Sequence, residues 1–274
     1  MDWAYKAFLT AMTVAIVLTV SRRFGQRIGG LCAGLPVVSA LTLIWLALDQ
    51  GPSFATHSSM GIIAASGASA AFIVSYEWLS RHRSAALALP ISLIPAAVLA
   101  MVAVRLQLSA VWIFAASIAL CAGGLARLDV PKLSAHAATK SRKCLLLTAV
   151  FAGAICATVT SQSTALGPFQ SGLLAALPIA GASIIVNYHL TMGHAAIPRF
   201  ARGYIAGLSG QATFAAVFSL ALELTGTGIA LGLSLAAGAT TTLIATRLFA
   251  KRKLYRTQVS PALSPRDLRD NVFY

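Results

Sequence analysis

The chain has 274 residues, of which 58% are hydrophobic and only 10% are charged, and its mean hydropathy is +0.80. A soluble domain carries about 25% charged residues, so this composition excludes a soluble domain and predicts an integral membrane protein. The formal net charge of +14 does not indicate nucleic acid, because the basic residues stand in short clusters between apolar runs. Such clusters are typical of loops that face anionic lipid.

The apolar runs predict nine spanning helices, each near the length that crosses ~30 Å of hydrocarbon at ~1.5 Å per residue. The predicted helices are Trp3–Val20, Ile28–Leu48, Met60–Leu79, Ala85–Val104, Ala110–Leu125, Cys144–Thr160, Gly172–Met192, Tyr204–Leu222 and Gly226–Phe249. Most of the charge around the first run follows it and no cleavage site appears, so we expect a retained helix rather than a signal peptide. The polar residues Lys251–Tyr274 cannot span and are expected to form a tail.

Basic residues are distributed unequally between the two sides of this arrangement. When every second connection is assigned to one side, that side holds 18 basic residues and the other holds only Lys6 and Arg105. The positive-inside rule then places the N-terminus outside and the C-terminus in the cytoplasm of a bacterial-type inner membrane.

One stretch of sequence occurs twice. GLCAGLPVVSALTLIWLALDQG begins at Gly30 and GLLAALPIAGASIIVNYHLTMG begins at Gly172, and over 47 ungapped pairs 142 residues apart, 13 are identical. Low-complexity coincidence is the alternative, but the scarce residue proline falls in register. The offset maps helices 1–4 onto helices 6–9, and the unpaired fifth helix inverts the second copy. We therefore predict an all-α membrane protein with a 4+1+4 inverted-topology repeat: residues 1–104, a linker helix and basic loop at 105–143, an inverted repeat at 144–250, and a cytoplasmic tail at 251–274.

Inverted repeats are a recurring feature of secondary transporters and channels, whose sites lie at helices interrupted in corresponding positions of the two halves. Pro36 and Pro178 lie six to eight residues into helices 2 and 7, where proline kinks or breaks a helix. Ser39 and Ser183 follow them. We expect these four residues at the substrate site, with a simple kink that serves helix packing as the alternative.

Four more polar residues complete the predicted substrate-binding set. Ser69 and Gln211 occupy equivalent positions in helices 3 and 8, and Thr213 lies close to the second. An amide is costly in hydrocarbon, so Gln211 should face the interior, whereas a hydroxyl in a spanning helix more often holds helices together. Asn187 begins a polar group with Tyr188 and His189 that indicates a substrate contact, a gate or an interfacial belt.

Acidic residues near mid-depth are scarce. Asp49, Glu77 and Glu223 lie at predicted helix ends, where a solvated or interfacial side chain is expected. A site without carboxylates suits an anionic or neutral solute better than a cation. The histidines and the four cysteines have no metal-ligand or catalytic spacing, so neither a cofactor, a metal site nor an enzyme is predicted.

GxxxG spacings such as Gly30–Gly34 allow close helix contacts within the chain or in a homodimer.

The segment LPIAGASIIVNYHLTMGHAAIPRFARGYIAG, which begins at Leu177, resembles the small four-helix GlpM-like membrane proteins. The matching residues are Gly172, Leu177, Pro178, Tyr188, Gly193, Arg202 and Gly203. Part of the pattern recurs in the first half, which lacks the arginine and the polar-aromatic pair. The resemblance implies a fused, duplicated form of such a protein, and it supplies an architecture more than a substrate.

The function expected from these patterns is transport or export of a small anionic or neutral solute, with membrane lipids as the surroundings. The alternative is a lipid-handling or envelope-assembly protein whose groove opens to the bilayer.

Overall fold

The computed structural model describes residues 3–23, 25–106, 108–128 and 142–259. Within these ranges every regular element is helical, which confirms the predicted all-α class. Most of the predicted basic loop, residues 129–141, and the end of the predicted tail, residues 260–274, lie outside the described residues.

The helices follow the predicted order, with two of the predicted spans divided into shorter helices. The elements are α1 (Trp3–Arg23), α2 (Gly25–Gly34), α3 (Val37–Gln50), α4 (Pro52–Leu79), α5 (Ala85–Leu106), α6 (Ala110–Arg127), α7 (Arg142–Ser161), α8 (Ser163–Leu166), α9 (Pro168–Ala175), α10 (Ile179–Met192), a 3-10 turn at His194–Ala196, α11 (Ile197–Thr225) and α12 (Thr227–Val259). The last helix continues beyond the predicted boundary at Phe249, so the tail begins as helix.

Six helical segments of the described chain are long and apolar enough to cross a membrane, which agrees with a membrane protein. They are Arg27–Gln50, Pro52–Leu79, Ala85–Leu106, Ala110–Arg127, His194–Thr225 and Thr227–Leu248. The other three predicted spans correspond to α1, α7 and the divided pair α9–α10. For these three, and so for the total of nine, spanning stays a prediction.

Helices α4 and α11 form the centre of the bundle. In their most apolar stretches 78% and 67% of the residues are buried, compared with 17% in α5 and 22% in α12. The outer helices therefore present apolar side chains outwards, as helices that contact lipid tails do. Helix α6 packs against both central helices, and the Ser117 hydroxyl donates a hydrogen bond to the Ile63 carbonyl oxygen of α4 at 2.8 Å.

Each half of the chain inserts a short helix against the central helix of the other half. Gly30 of α2 lies so close to α11 that a Cβ would overlap the carbonyl oxygen of Phe200. At the positions 142 residues away, Gly172 of α9 lies in the same way against the carbonyl oxygen of Ser58 in α4. Because Ser58 is the counterpart of Phe200, the contact is the same one with the two halves exchanged.

A second pair of contacts repeats this exchange. Gly61 of α4 faces the carbonyl oxygen of Phe169, and its counterpart Gly203 of α11 faces that of Arg27. The positions of Phe169 and Arg27 are also 142 apart. In both interfaces, α2 with α11 and α9 with α4, the close contacts therefore occur at sequence positions that differ by 142.

The interruptions expected at the two prolines are present. Helix α2 ends at Gly34 and α3 begins at Val37, while α9 ends at Ala175 and α10 begins at Ile179. Pro36 and Pro178 have nearly identical backbone angles, with φ of −75° and −76° and ψ of 40° and 41°. Proline lacks the N–H that would continue the helix, and the same local conformation has formed in both halves.

Candidate functional site

The interruptions create two helix beginnings inside the bundle. Neither Pro36 nor Pro178 caps its helix with a side chain, and the first amide of α3, that of Val37, donates instead to the Leu35 carbonyl oxygen at 2.8 Å. Ser39 is buried in the first turn of α3, and Ser183 is half-buried in α10. Helix beginnings of this kind attract negative charge. The four residues predicted around the prolines therefore do lie at or just beyond the breaks.

Tyr204 connects the break in the second half to the central helices. Its side chain lies against the backbone of Gly181, where a Cβ would come within 2.7 Å of the Tyr204 hydroxyl. Ser69 of α4 lies beside the same phenol, although its fully buried Oγ does not reach good hydrogen-bond geometry with any described residue. The predicted residue Ser69 and the first turn of α10 are thus brought together by a tyrosine.

Sequence reasoning did not select Tyr204. The signal available was its counterpart Ile62, because the second repeat carries a hydroxyl where the first is purely apolar. A buried phenol usually finds a polar partner, and the Ser69 hydroxyl lies beside this one. Its position opposite Gly181 depends on how the helices pack, which the sequence pattern does not specify.

Gln211 lies two turns after Tyr204 on α11, about 10 Å along the helix and on the same side. It is 5% exposed, as expected for an amide that faces the protein interior. Thr213 is half-buried and donates to the Ser209 carbonyl oxygen of its own helix at 3.0 Å. That bond is the structural role considered more frequent for hydroxyls in spanning helices.

The polar group at the end of α10 divides into separate environments. Asn187 is half-buried, and its Oδ1 is buried without a hydrogen-bond partner in the described chain. Tyr188 packs into the core with its ring 5.6 Å from that of Phe200. His189 pairs with α4, where the Tyr76 hydroxyl lies 3.1 Å from its Nδ1.

The two acidic residues at the ends of α3 and α4 form ion pairs. Glu77 is buried and accepts hydrogen bonds from the half-exposed Arg81, with Nη2 at 2.6 Å from Oε1. Asp49 contacts the ammonium group of Lys6 on α1. A solvated or interfacial Asp49 was the expectation; its side chain is 23% exposed at the end of α3, and α1 adds a buried lysine as its partner.

Lys6 is an unexpected feature of this region. Its side chain is 4% exposed, and its Nζ lies over the Trp45 ring at 6.0 Å from the ring centre. The indole Nε1 of Trp45 is buried and has no hydrogen-bond acceptor among the described residues. The sequence did offer one sign of this pair, because Lys6 and Asp49 carry opposite charges and lie on the same predicted side of the membrane.

The described residues contain no group of three side chains suited to a metal ion. No family model, curated protein or solved structure matches the chain. The resemblance to GlpM-like proteins therefore stays a prediction.

Proposed function

We propose that this chain is a secondary transporter of a small anionic or neutral solute in a bacterial-type cytoplasmic membrane. Its two halves would be inverted repeats in a 4+1+4 arrangement of nine helices, with α6 as the unpaired helix. Exchange of conformations between such halves alternately opens a central site to each side.

The exchanged glycine contacts carry this proposal. Gly30 against Phe200 and Gly172 against Ser58 are related by the repeat offset with the halves swapped. Each short helix thus packs on the central helix of the other half rather than on that of its own half. The reciprocal arrangement suits a protein whose halves can exchange roles.

The solute site in this proposal lies between the central helices, beside the interruptions. Ser69, Tyr204 and Gln211 supply hydroxyl and amide groups, and the beginnings of α3 and α10 supply the partial positive charge of helix N-termini. None of these groups is acidic. This donor-rich composition favours an anionic or neutral solute over a cation.

Thermal unfolding of the purified protein with a panel of organic anions, neutral metabolites, amines and lipids tests the proposal. A ligand at 100 times its Kd stabilises the folded state by about 2.7 kcal/mol. We expect an organic anion or a neutral metabolite to raise the unfolding temperature in a saturable way. Gln211→Ala should abolish this shift. Thr213→Val should keep it, because the Thr213 hydroxyl bonds to its own helix. The solute identified in this way should then enter proteoliposomes that contain the protein.

Two outcomes count against transport. Shifts from lipids alone would favour the lipid-handling alternative. A saturable small-molecule shift without any flux in proteoliposomes would leave a binding protein and overturn the transporter assignment.

A further inference from the structure

A polar stripe follows α3 from the interruption to the outer end of the helix. Ser39, Thr42, Trp45 and Asp49 recur at intervals of three, three and four residues, which places them on one face. The first three are buried, with at most 6% exposure, whereas the Asp49 side chain is 23% exposed. The stripe therefore connects the proposed solute site to the protein surface at Asp49.

The outer end of this stripe holds a charge that is costly to bury. Lys6 is buried in α1, and Asp49 is the acidic group that contacts it. Trp45 contributes an indole N–H without an acceptor in the described structure. Asp49 already pairs the Lys6 charge, so the unmet group is the Trp45 N–H, and a buried donor without an acceptor costs free energy. We take this donor, next to a buried ammonium group, as the sign of an acceptor that arrives from elsewhere.

Hydroxyl groups extend the polar lining inwards, although that of Thr42 donates to the Val38 carbonyl oxygen of its own helix at 2.9 Å. Thr10 of α1 and Thr42 of α3 are fully buried, with their Oγ1 atoms 3.4 Å and 3.2 Å from Sγ of Cys156 in α7. Cys156 is itself completely buried. It lies where α1, α3 and α7 meet and interacts electrostatically with Lys6, so it can report whether that junction opens.

The second half has no counterpart of the Lys6, Trp45 and Asp49 group. The positions equivalent to Lys6, Trp45 and Asp49 are Thr148, Asn187 and Thr191, which carry no charge. Other features repeat faithfully between the halves, including the prolines and the glycine contacts. The ion pair therefore belongs to one side of the protein, which the positive-inside rule predicts to be the outer side.

We propose that Lys6, Trp45 and Asp49 form an outer entrance site for the acidic group of an anionic solute. The solute's carboxylate or similar group replaces Asp49 on Lys6 and accepts a hydrogen bond from Trp45 Nε1. With Asp49 in place the entrance is closed, and exchange of the two acidic groups opens the route along α3. The inference rests on the proposed transporter function and narrows its solute class to anions.

Charged thiol reagents on Cys156 test this proposal without a known solute. In a chain whose other cysteines are replaced by alanine, Cys156 is reacted with an anionic sulfonatoethyl or a cationic trimethylammonioethyl methanethiosulfonate. The parent should react slowly with both. Asp49→Asn leaves Lys6 without its carboxylate, and we expect the anionic reagent to react at least tenfold faster than the cationic one.

Three further variants make the result specific. Lys6→Gln should abolish the preference for the anionic reagent. The exchanged pair Lys6→Asp with Asp49→Lys should re-form the contact and restore slow labelling, which also shows that the altered chains still fold. Arg81→Gln breaks the ion pair at the end of α4 and should leave both rates at the parent value.

Equal rates in Asp49→Asn, a preference for the cationic reagent, or the same change in Arg81→Gln would overturn the entrance site. Labelling does not depend on transport, so the two proposals fail separately. Flux of a solute without charge-selective labelling would retain the transporter and remove this entrance. Charge-selective labelling in a protein that moves no solute would retain the anion-binding site at Lys6 and remove the transporter assignment.

Discussion

The phenol of Tyr204 occupies the space that a side chain at Gly181 would need, because a Cβ at position 181 would come within 2.5 Å of the ring. Gly181 belongs to the first turn after the break at Pro178, and Tyr204 is buried in the central helix α11. The break in the second half is therefore fitted directly against the centre of the bundle.

Gly181→Ala should lower the free energy of unfolding by ~1–3 kcal/mol, because the added methyl group overpacks this contact. The same substitution in a Tyr204→Ala background should cost much less, since the ring is absent. A double-mutant cycle from denaturant or thermal unfolding in detergent measures the difference. Additive effects of the two substitutions would mean that the ring and the glycine do not constrain each other.

Gly30→Ala and Gly172→Ala should each lower the free energy of unfolding by ~1–3 kcal/mol or more. Each added Cβ meets a backbone carbonyl oxygen, which cannot move aside as a flexible side chain can. Gly228→Ala is the matched control on α12, where a Cβ meets nothing within 4 Å. It should be neutral or stabilise by ~0.5–1 kcal/mol through helix propensity. Thermal unfolding of the three variants under one condition provides the comparison, and a tolerated alanine at either repeat position would contradict the exchanged packing.

Tyr76→Phe should destabilise the protein by ~0.5–1.5 kcal/mol through loss of the hydrogen bond to His189. The ring itself should be tolerated, because the equivalent position in the second half is Phe218, stacked on Phe214 much as Tyr76 packs near Phe72. Phe218→Tyr is the reciprocal variant, and it should be the more harmful one because it buries a hydroxyl without a prepared partner. Equal unfolding temperatures for wild type and Tyr76→Phe would show that the bond contributes nothing.

Asp49→Asn should cost more stability than Arg81→Gln. The first substitution leaves the Lys6 ammonium, 4% exposed and packed within α1, without its carboxylate. The second leaves the buried Glu77 carboxylate without a half-exposed arginine, but at the last turn of α4. Unfolding of both variants at several salt concentrations separates them, because salt screens exposed charges more strongly than buried ones. The reverse order would show that Lys6 is solvated.

The all-α class, the two proline breaks and the burial of Gln211 could be predicted because each depends on local sequence or on the hydrophobic pattern. The glycines likewise indicated close helix contacts. Their partners could not be read from the pattern, since nothing local states that Gly30 meets Phe200 rather than a residue of its own half. The contacts of Tyr204 and the Lys6–Asp49 pair were not predicted for the same reason, because they form only when helices distant in sequence pack together.

The exchanged contacts also set an order of events during synthesis. Gly30 and Phe200 are 170 residues apart in the chain, so α2 enters the membrane long before the helix that will cover its glycine face exists. The first half must therefore remain incompletely assembled until α11 has been made. A chain halted after α6 would leave α2 with an open surface of small residues, a feature that quality-control proteases and insertion chaperones could recognise as unfinished.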